Sequence, residues 1–125
     1  SAFYPTRLDE SYFVTYMGTA PVNVPVAIAG LRQEVERLVA GQLNIEELDG
    51  AKSKLLGQYA LGKQTNSEIA QVYGWYEILG LGIDYDQTFQ SAIADITLGE
   101  IEQVATHYLQ NPTLSVVGPS ELALN

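Results

Sequence analysis

The chain has 125 residues, 46 % hydrophobic and 17 % charged, a mixture too apolar for a disordered segment and long enough to bury one core. Six basic against fifteen acidic side chains leave a net charge of −9, so nucleic acid and anionic membrane surfaces are disfavoured partners and none is expected. The absence of cysteine excludes disulfides, thiolate-bound metal, iron–sulfur clusters and a cysteine nucleophile.

Residues 2–4 are short and aromatic, and residues 12–17 (YFVTYM) are β-branched and aromatic, so both are read as strands. Phe13, Thr15 and Met17 share one face of the second strand, and Tyr12, Val14 and Tyr16 the other. Both faces are apolar, which predicts a strand that is central or covered on both sides.

Five helices follow. Asn23 caps the first and Pro25 fits its opening turn; Val24, Ala27, Ile28, Leu31, Val35, Leu38 and Val39 recur at helical spacing until Gly41 stops it. Asn44 with Glu47 opens the second, whose inward face is read as Leu48, Ala51, Leu55 and Tyr59, with Gly57 and Gly62 blurring its end. Thr65 and Glu68 form a capping box for the third, with Ile69, Val72, Tyr73, Tyr76 and Leu79 on one stripe before Gly80 and Gly82.

The fourth runs over 85–95 with Tyr85, Phe89, Ala92 and Ile93 inward, followed by Ile96. Thr97 and Glu100 box the fifth, which carries Ile101, Val104, Ala105, Tyr108 and Leu109 until Asn111-Pro112. Residues 113–117 (TLSVV) are read as a last strand, closed by Gly118-Pro119. Leu31, Val35, Leu55, Val72, Tyr76, Ile93 and Val104 are the expected core.

This order predicts an α+β fold, an antiparallel sheet with several helices packed on it, as one domain over 1–125. Three strands are few for so many helices. The chain also starts without Met and directly in strand-like sequence, so a truncated or processed piece with upstream strands is expected. The first residues, SAFYPTRLDE, have neither the basic nor the apolar region of a signal peptide, and no apolar run approaches the ~18–20 residues of a membrane span. The compartment stays open.

Side chains that could carry chemistry have plainer uses. His107 is the one histidine, where a catalytic zinc site needs two or three, and it sits in the last turn of a helix, where a cation suits the dipole. Glu46 and Glu47 occupy a first helical turn. Asp84 and Asp86 lack the ordered oxygen series of a calcium loop and are read as helix caps. Tyr73 and Tyr76 belong to a core stripe, leaving Trp75 turned elsewhere. Gly80 and Gly82 follow a helix, so they are no phosphate cradle. No catalytic or metal residue is assigned.

Four stretches carry a resemblance. YFVTYMGTAPVNVPVAIAGLRQEVERL has a strand, Thr-Ala-Pro and a helix of the form LxxEhxRL (h apolar), through Leu31, Glu34, Val35, Arg37 and Leu38. IEELDGAKSKLLGQYAL follows "EELxxAKxxLLGxxxL" through Glu46, Glu47, Leu48, Ala51, Lys52, Leu55, Leu56, Gly57 and Leu61. TNSEIAQVYGWYEILGLGIDY follows "SNSxxAxxLGxYEhLGLxxDY" through Asn66, Ser67, Ala70, Gly74, Tyr76, Glu77, Leu79, Gly80, Leu81, Asp84 and Tyr85. ITLGEIEQVATHYLQNPTLSVVGP follows "VTxEDVxxVAxKYLxPxxLxVVxVGP" through Thr97, Glu100, Val104, Ala105, Tyr108, Leu109, Leu114, Val116 and Val117. In this order they resemble the later part of the non-catalytic domain of insulinase- or pitrilysin-like zinc metallopeptidases.

That resemblance implies a clamshell of related α+β domains enclosing a peptide. In the catalytic domain an inverted H-x-x-E-H motif supplies two zinc-binding histidines and the Glu that activates water, and a further Glu completes the ligands. This chain has no H-x-x-E-H, and Gly57-Gln58 stand where the third ligand would be, so the match is to the partner domain. The Arg and Tyr by which that domain holds substrate lie in a stretch like "R…GLAY", upstream of sequence like SAFYPT, and no substrate-binding residue is carried over. Zinc is expected in the parent's catalytic domain and none in this chain. The implied partners are that domain or subunit, peptide through the parent, and a further copy of the chain through sheet edges at 12–17 or 113–117. Two other readings stay open: a non-peptidase core or assembly subunit of the same fold, and an unrelated acidic binding module using the surface around Trp75.

Overall fold

A computed structural model describes residues 1–119. The elements are β1 (Ala2–Phe3), β2 (Val14–Thr15), a 3-10 turn (Pro21–Asn23), α1 (Val24–Val39), α2 (Ile45–Leu61), α3 (Asn66–Ile78), α4 (Tyr85–Asp95) and α5 (Leu98–Tyr108). The α+β reading holds in its coarse form, with helices dominating a two-stranded antiparallel sheet. The chain divides into two compact units, one of Ser1–Gln42 with the described residues from Ile101 onward, the other Leu43–Glu100.

In the first unit β1 and β2 pair Ala2 with Thr15 and Phe3 with Val14. The ladder extends one pair further, where Ser1 donates to the Tyr16 carbonyl at 2.9 Å and the Tyr16 N–H donates to Ser1 O at 2.8 Å. The predicted strand over 12–17 is therefore cut to a short core. On the opposite strand Pro5 has no N–H to continue the ladder, and its carbonyl accepts the Ser11 hydroxyl instead. Arg7 donates to the Tyr12 hydroxyl at 2.9 Å and lies over its ring. The expected cover on both faces is not found: Tyr12, Phe13, Tyr16 and Met17 are all exposed. Residues 113–117 form no strand either. Their β-branched composition favours extended backbone, but a strand needs a neighbour to accept its hydrogen bonds, and Leu114 and Val117 stay in solvent.

The α1 stripe is as predicted, with Val24, Ala27, Ile28, Leu31, Val35, Leu38 and Val39 all half-buried. Its start differs. Pro21–Asn23 already turn as a 3-10 helix, so Asn23 has helical φ and ψ and its side chain makes no cap. Gly41 ends the helix at φ 64°, a conformation that a residue with a Cβ resists. A Cβ there would also lie 2.8 Å from the Glu102 carboxyl carbon, so glycine permits this close approach to α5. Ala105 is the buried side chain of this unit, 2 % exposed. Nearby, Thr106 donates to the Val39 carbonyl at 3.5 Å. Val104, expected in the core, is exposed.

In the second unit the predicted capping boxes form. Asn44 accepts from the Glu47 N–H at 2.9 Å and Thr65 from the Glu68 N–H at 3.3 Å, each Glu returning to its cap residue's backbone. Thr97 and Glu100 make the same exchange before α5. The Gly80 and Gly82 turn uses φ of 71° and 74°. α2 runs through Gly57 to Leu61.

The inward face of α2 is Leu48, Lys52, Leu56 and Tyr59, not Leu48, Ala51, Leu55 and Tyr59. Both sets obey helical spacing and flank the same line, so periodicity cannot choose between them. Packing against α4 chooses: Lys52 lays its stem inward and donates to the Ala94 carbonyl at 2.7 Å, near the C-terminus of α4, where a cation suits the dipole. Ala51 and Leu55 turn outward, Leu55 being 41 % exposed. Leu48 at 3 % and Tyr76 at 7 % are the buried side chains of this unit, and Val72, Leu79, Tyr85, Phe89 and Ile93 are half-buried as predicted.

Candidate functional site

The strongest side-chain cluster joins α2, α3 and α4, and sequence reasoning missed it. The Tyr59 and Tyr76 hydroxyls lie 2.6 Å apart, and Tyr59 also donates to Asp86 Oδ1. Lys63 Nζ reaches the same oxygen at 2.6 Å and sits 4.0 Å from the Tyr59 ring centroid. Gln90 donates to the other Asp86 oxygen at 3.3 Å. Aromatic rings wall the cluster, Tyr59 on Phe89 at 4.7 Å and Tyr76 edge-on to Tyr85 at 5.1 Å.

Electrostatics fixes the protonation of this cluster. Burial, with help from the Asp86 and Tyr76 hydrogen bonds, pushes the Tyr59 phenol far above the ordinary tyrosine range. Hydrogen bonds from Lys63 and then Tyr59 hold the Asp86 carboxyl below the usual carboxylate range. At neutral pH the cluster is thus a protonated phenol and an ionised carboxylate beside an ammonium group. The three groups satisfy one another, which makes the cluster a clamp between helices. Neither shift favours proton transfer near neutral pH, since the phenol is harder to deprotonate than a free tyrosine and the carboxylate harder to protonate than a free one. The sequence signal was faint: Tyr59 and Lys63 are one turn apart, but nothing local announces Asp86.

The residues weighed earlier fall elsewhere. His107 is exposed, with its ring edge-on to Tyr108 at 4.5 Å. Glu47 serves its capping box, and both it and Glu46 are exposed. Asp84 stands at the N-cap of α4 but its side chain makes no cap bond, and Asp86 binds Tyr59 and Lys63 instead of capping. Tyr76 is buried and Tyr73 half-buried, with Trp75 turned outward.

In the first unit a concavity of about 450 Å³ lies between α1, at Arg32, Val35 and Val39, and residues 109–112. Asn111 enters it from a left-handed backbone at φ 51°, and Arg32 and Glu36 put opposite charges on its wall. The larger uncovered feature of this unit is apolar: Phe3, Tyr4, Tyr12, Phe13, Tyr16 and Met17 are exposed around β1 and β2.

Zinc, which the resemblance places in a catalytic domain, has no fitting donor set here. Among the described residues no group of three His, Cys, Asp or Glu could hold a metal ion. No helix of the described residues is long and apolar enough to cross a membrane. No family model, curated protein or solved structure matches the chain.

Proposed function

We propose that the chain is the later part of the non-catalytic domain of an insulinase-like zinc metallopeptidase, a scaffold and one wall of the chamber that encloses a peptide substrate. Half of a clamshell of α+β domains is the architecture this implies, with zinc and the water-activating Glu on another domain or subunit.

The observation that supports the reading is the agreement between the resembling stretches and the helices. IEELDGAKSKLLGQYAL is α2 from its first residue to its last. The next stretch opens at the Thr65 cap, supplies all of α3, and ends through the left-handed Gly80 and Gly82. The last begins at the Thr97–Glu100 exchange that opens α5. Three of the four stretches thus open at the start of a helix. An acidic composition and a Tyr59–Asp86–Lys63 cluster whose members satisfy one another are compatible with such a structural role.

The test is made on the parent protein purified with its natural partners. Zinc content and cleavage of a quenched fluorescent peptide are measured, with a chelator as control, beside the isolated chain. The expected result is chelator-sensitive cleavage by the parent, an H-x-x-E-H motif in it or in a co-purifying subunit, and neither bound zinc nor cleavage for the chain alone. A parent with no H-x-x-E-H and no chelator-sensitive cleavage overturns the peptidase reading.

A further inference from the structure

We propose that the free edge of β2 pairs with the same edge of a second copy of this chain, forming a symmetric four-stranded sheet centred on Thr15. The proposal rests on the strand geometry and charge distribution alone and stands apart from the peptidase reading.

The edge is defined by hydrogen-bond alternation. Ser1 and Tyr16 exchange both backbone bonds, so Val14 and Tyr16 direct their N–H and C=O groups at β1. The alternation turns those of Phe13, Thr15 and Met17 to the opposite edge, where they meet no strand among the described residues. A row of unpaired groups of this kind is a template for another strand.

The occupant follows from symmetry and charge. Two antiparallel copies of β2 related by a twofold axis at Thr15 set Thr15 opposite Thr15 and Phe13 opposite Met17 of the other copy. Each hydrogen-bonding residue then meets another, and each apolar side chain faces an apolar one, a sulfur–aromatic pair included. The chain carries −9 overall, yet residues 11–31 contain no Asp, Glu, Lys, Arg or His. Two copies can therefore meet here without bringing like charges face to face, and interface centres are depleted in charge.

Magnitude limits the strength. Tyr12, Phe13, Tyr16 and Met17 stand on both faces of β2, so pairing at the edge covers only part of their exposed surface, which is on the order of 400 Å² per copy in all. That is near half of the ~800 Å² each partner gives to a standard interface. The dimer is accordingly weak and concentration-dependent.

Because the chain has no cysteine, one introduced thiol reports on one place. Opposed residues of a hydrogen-bonded antiparallel pair have Cα atoms ~5.5 Å apart, within the span of a disulfide. Thr15→Cys is compared under mild oxidation with Val26→Cys, a thiol on the exposed outer side of α1. The wild type and Met17→Lys are sedimented over a concentration series, with circular dichroism confirming unchanged helix content. The expected result is at least tenfold faster covalent dimerisation of Thr15→Cys than of Val26→Cys, a wild type that dimerises as concentration rises, and a monomeric Met17→Lys. A wild type that stays monomeric, equal cross-linking of the two thiols, or a Met17→Lys variant that still dimerises overturns the proposal.

Discussion

Replacing Tyr59 by Phe removes one oxygen and keeps the ring, so it isolates the hydroxyl that links α2 to α3 and α4. That hydroxyl donates to the Asp86 carboxylate and stands 2.6 Å from the Tyr76 hydroxyl. A hydrogen bond to a charged group contributes ~1.5–3 kcal/mol and a neutral one ~0.5–1.5 kcal/mol. The Lys63 and Asp86 side chains are 17 % and 15 % exposed, so water replaces part of what is lost. Lys63 remains to hold the carboxylate, but the hydroxyl of buried Tyr76 loses its neighbour. The expected destabilisation is about 2 kcal/mol. Urea unfolding at neutral pH measures it, followed by fluorescence of Trp75, the one tryptophan, which lies beside Tyr76 on α3. Asp86→Asn supplies the second edge of a double-mutant cycle. Because both residues belong to one network, the double variant should lose less than the two single losses combined, by ~0.5 kcal/mol or more. A loss below ~0.5 kcal/mol for Tyr59→Phe, or strict additivity with Asp86→Asn, would refute the clamp.

Leu48→Ala should cost ~2–5 kcal/mol, because Leu48 is 3 % exposed, whereas Leu55→Ala should cost under ~1 kcal/mol from its outward position; equal losses in urea melts would mean that the face of α2 is misassigned. Stability should also fall at both ends of the pH scale. The Asp86 carboxyl is lowered on folding, so its contribution is present above the ordinary carboxylate range and is lost as pH falls below ~4 through the folded value; Asp86→Asn should flatten that limb in acid titrations followed by circular dichroism. The Tyr59 phenol is raised on folding, so its contribution is complete below ~10 and is lost as pH climbs above it, at a slope of up to about 1.4 kcal/mol per pH unit; Tyr59→Phe should unfold with a shallower alkaline limb, and an unchanged limb would contradict the burial of the phenol.

What the sequence revealed and what it hid divide by range. Asn44–Glu47, Thr65–Glu68 and Thr97–Glu100 are exchanges over three residues, and the sequence contains both halves of each within one turn. The stops at Gly41 and at Gly80 and Gly82 are legible for the same reason, since a left-handed backbone selects its residue locally. Lys52 reaching Ala94, or Tyr59 reaching Asp86, joins residues that only the packed helices bring together. A lysine at a helical spacing that also offers Ala51 and Leu55 reads as a surface residue until its carbonyl partner is known. Strands fail for a related cause. The composition of residues 12–17 and 113–117 states a willingness to extend, but a ladder exists only where a neighbour supplies the other half of each bond. Within the described residues the first segment finds β1 over a short length and the second finds no strand.

The uncovered strand surface constrains which associations can coexist. Leu48, Tyr76 and Ala105 are the buried apolar side chains among the described residues, and most of the other stripe residues are only half-buried. Aromatic strand residues left in water cost free energy that a covering surface would recover. The free edge of β2 can hold one strand at a time, so a second copy paired there excludes any other strand from it. If Thr15→Cys cross-links rapidly, any other partner must meet the chain elsewhere, and exposed Val22, Val26, Val104 and Tyr108 are among the apolar groups left to it in the same unit. If the edge proves free of a second copy while the parent protein shows zinc-dependent cleavage, the same backbone groups of Phe13, Thr15 and Met17 become the place to look for the partner. Cross-linking and zinc content share no readout, so either result can be positive without the other.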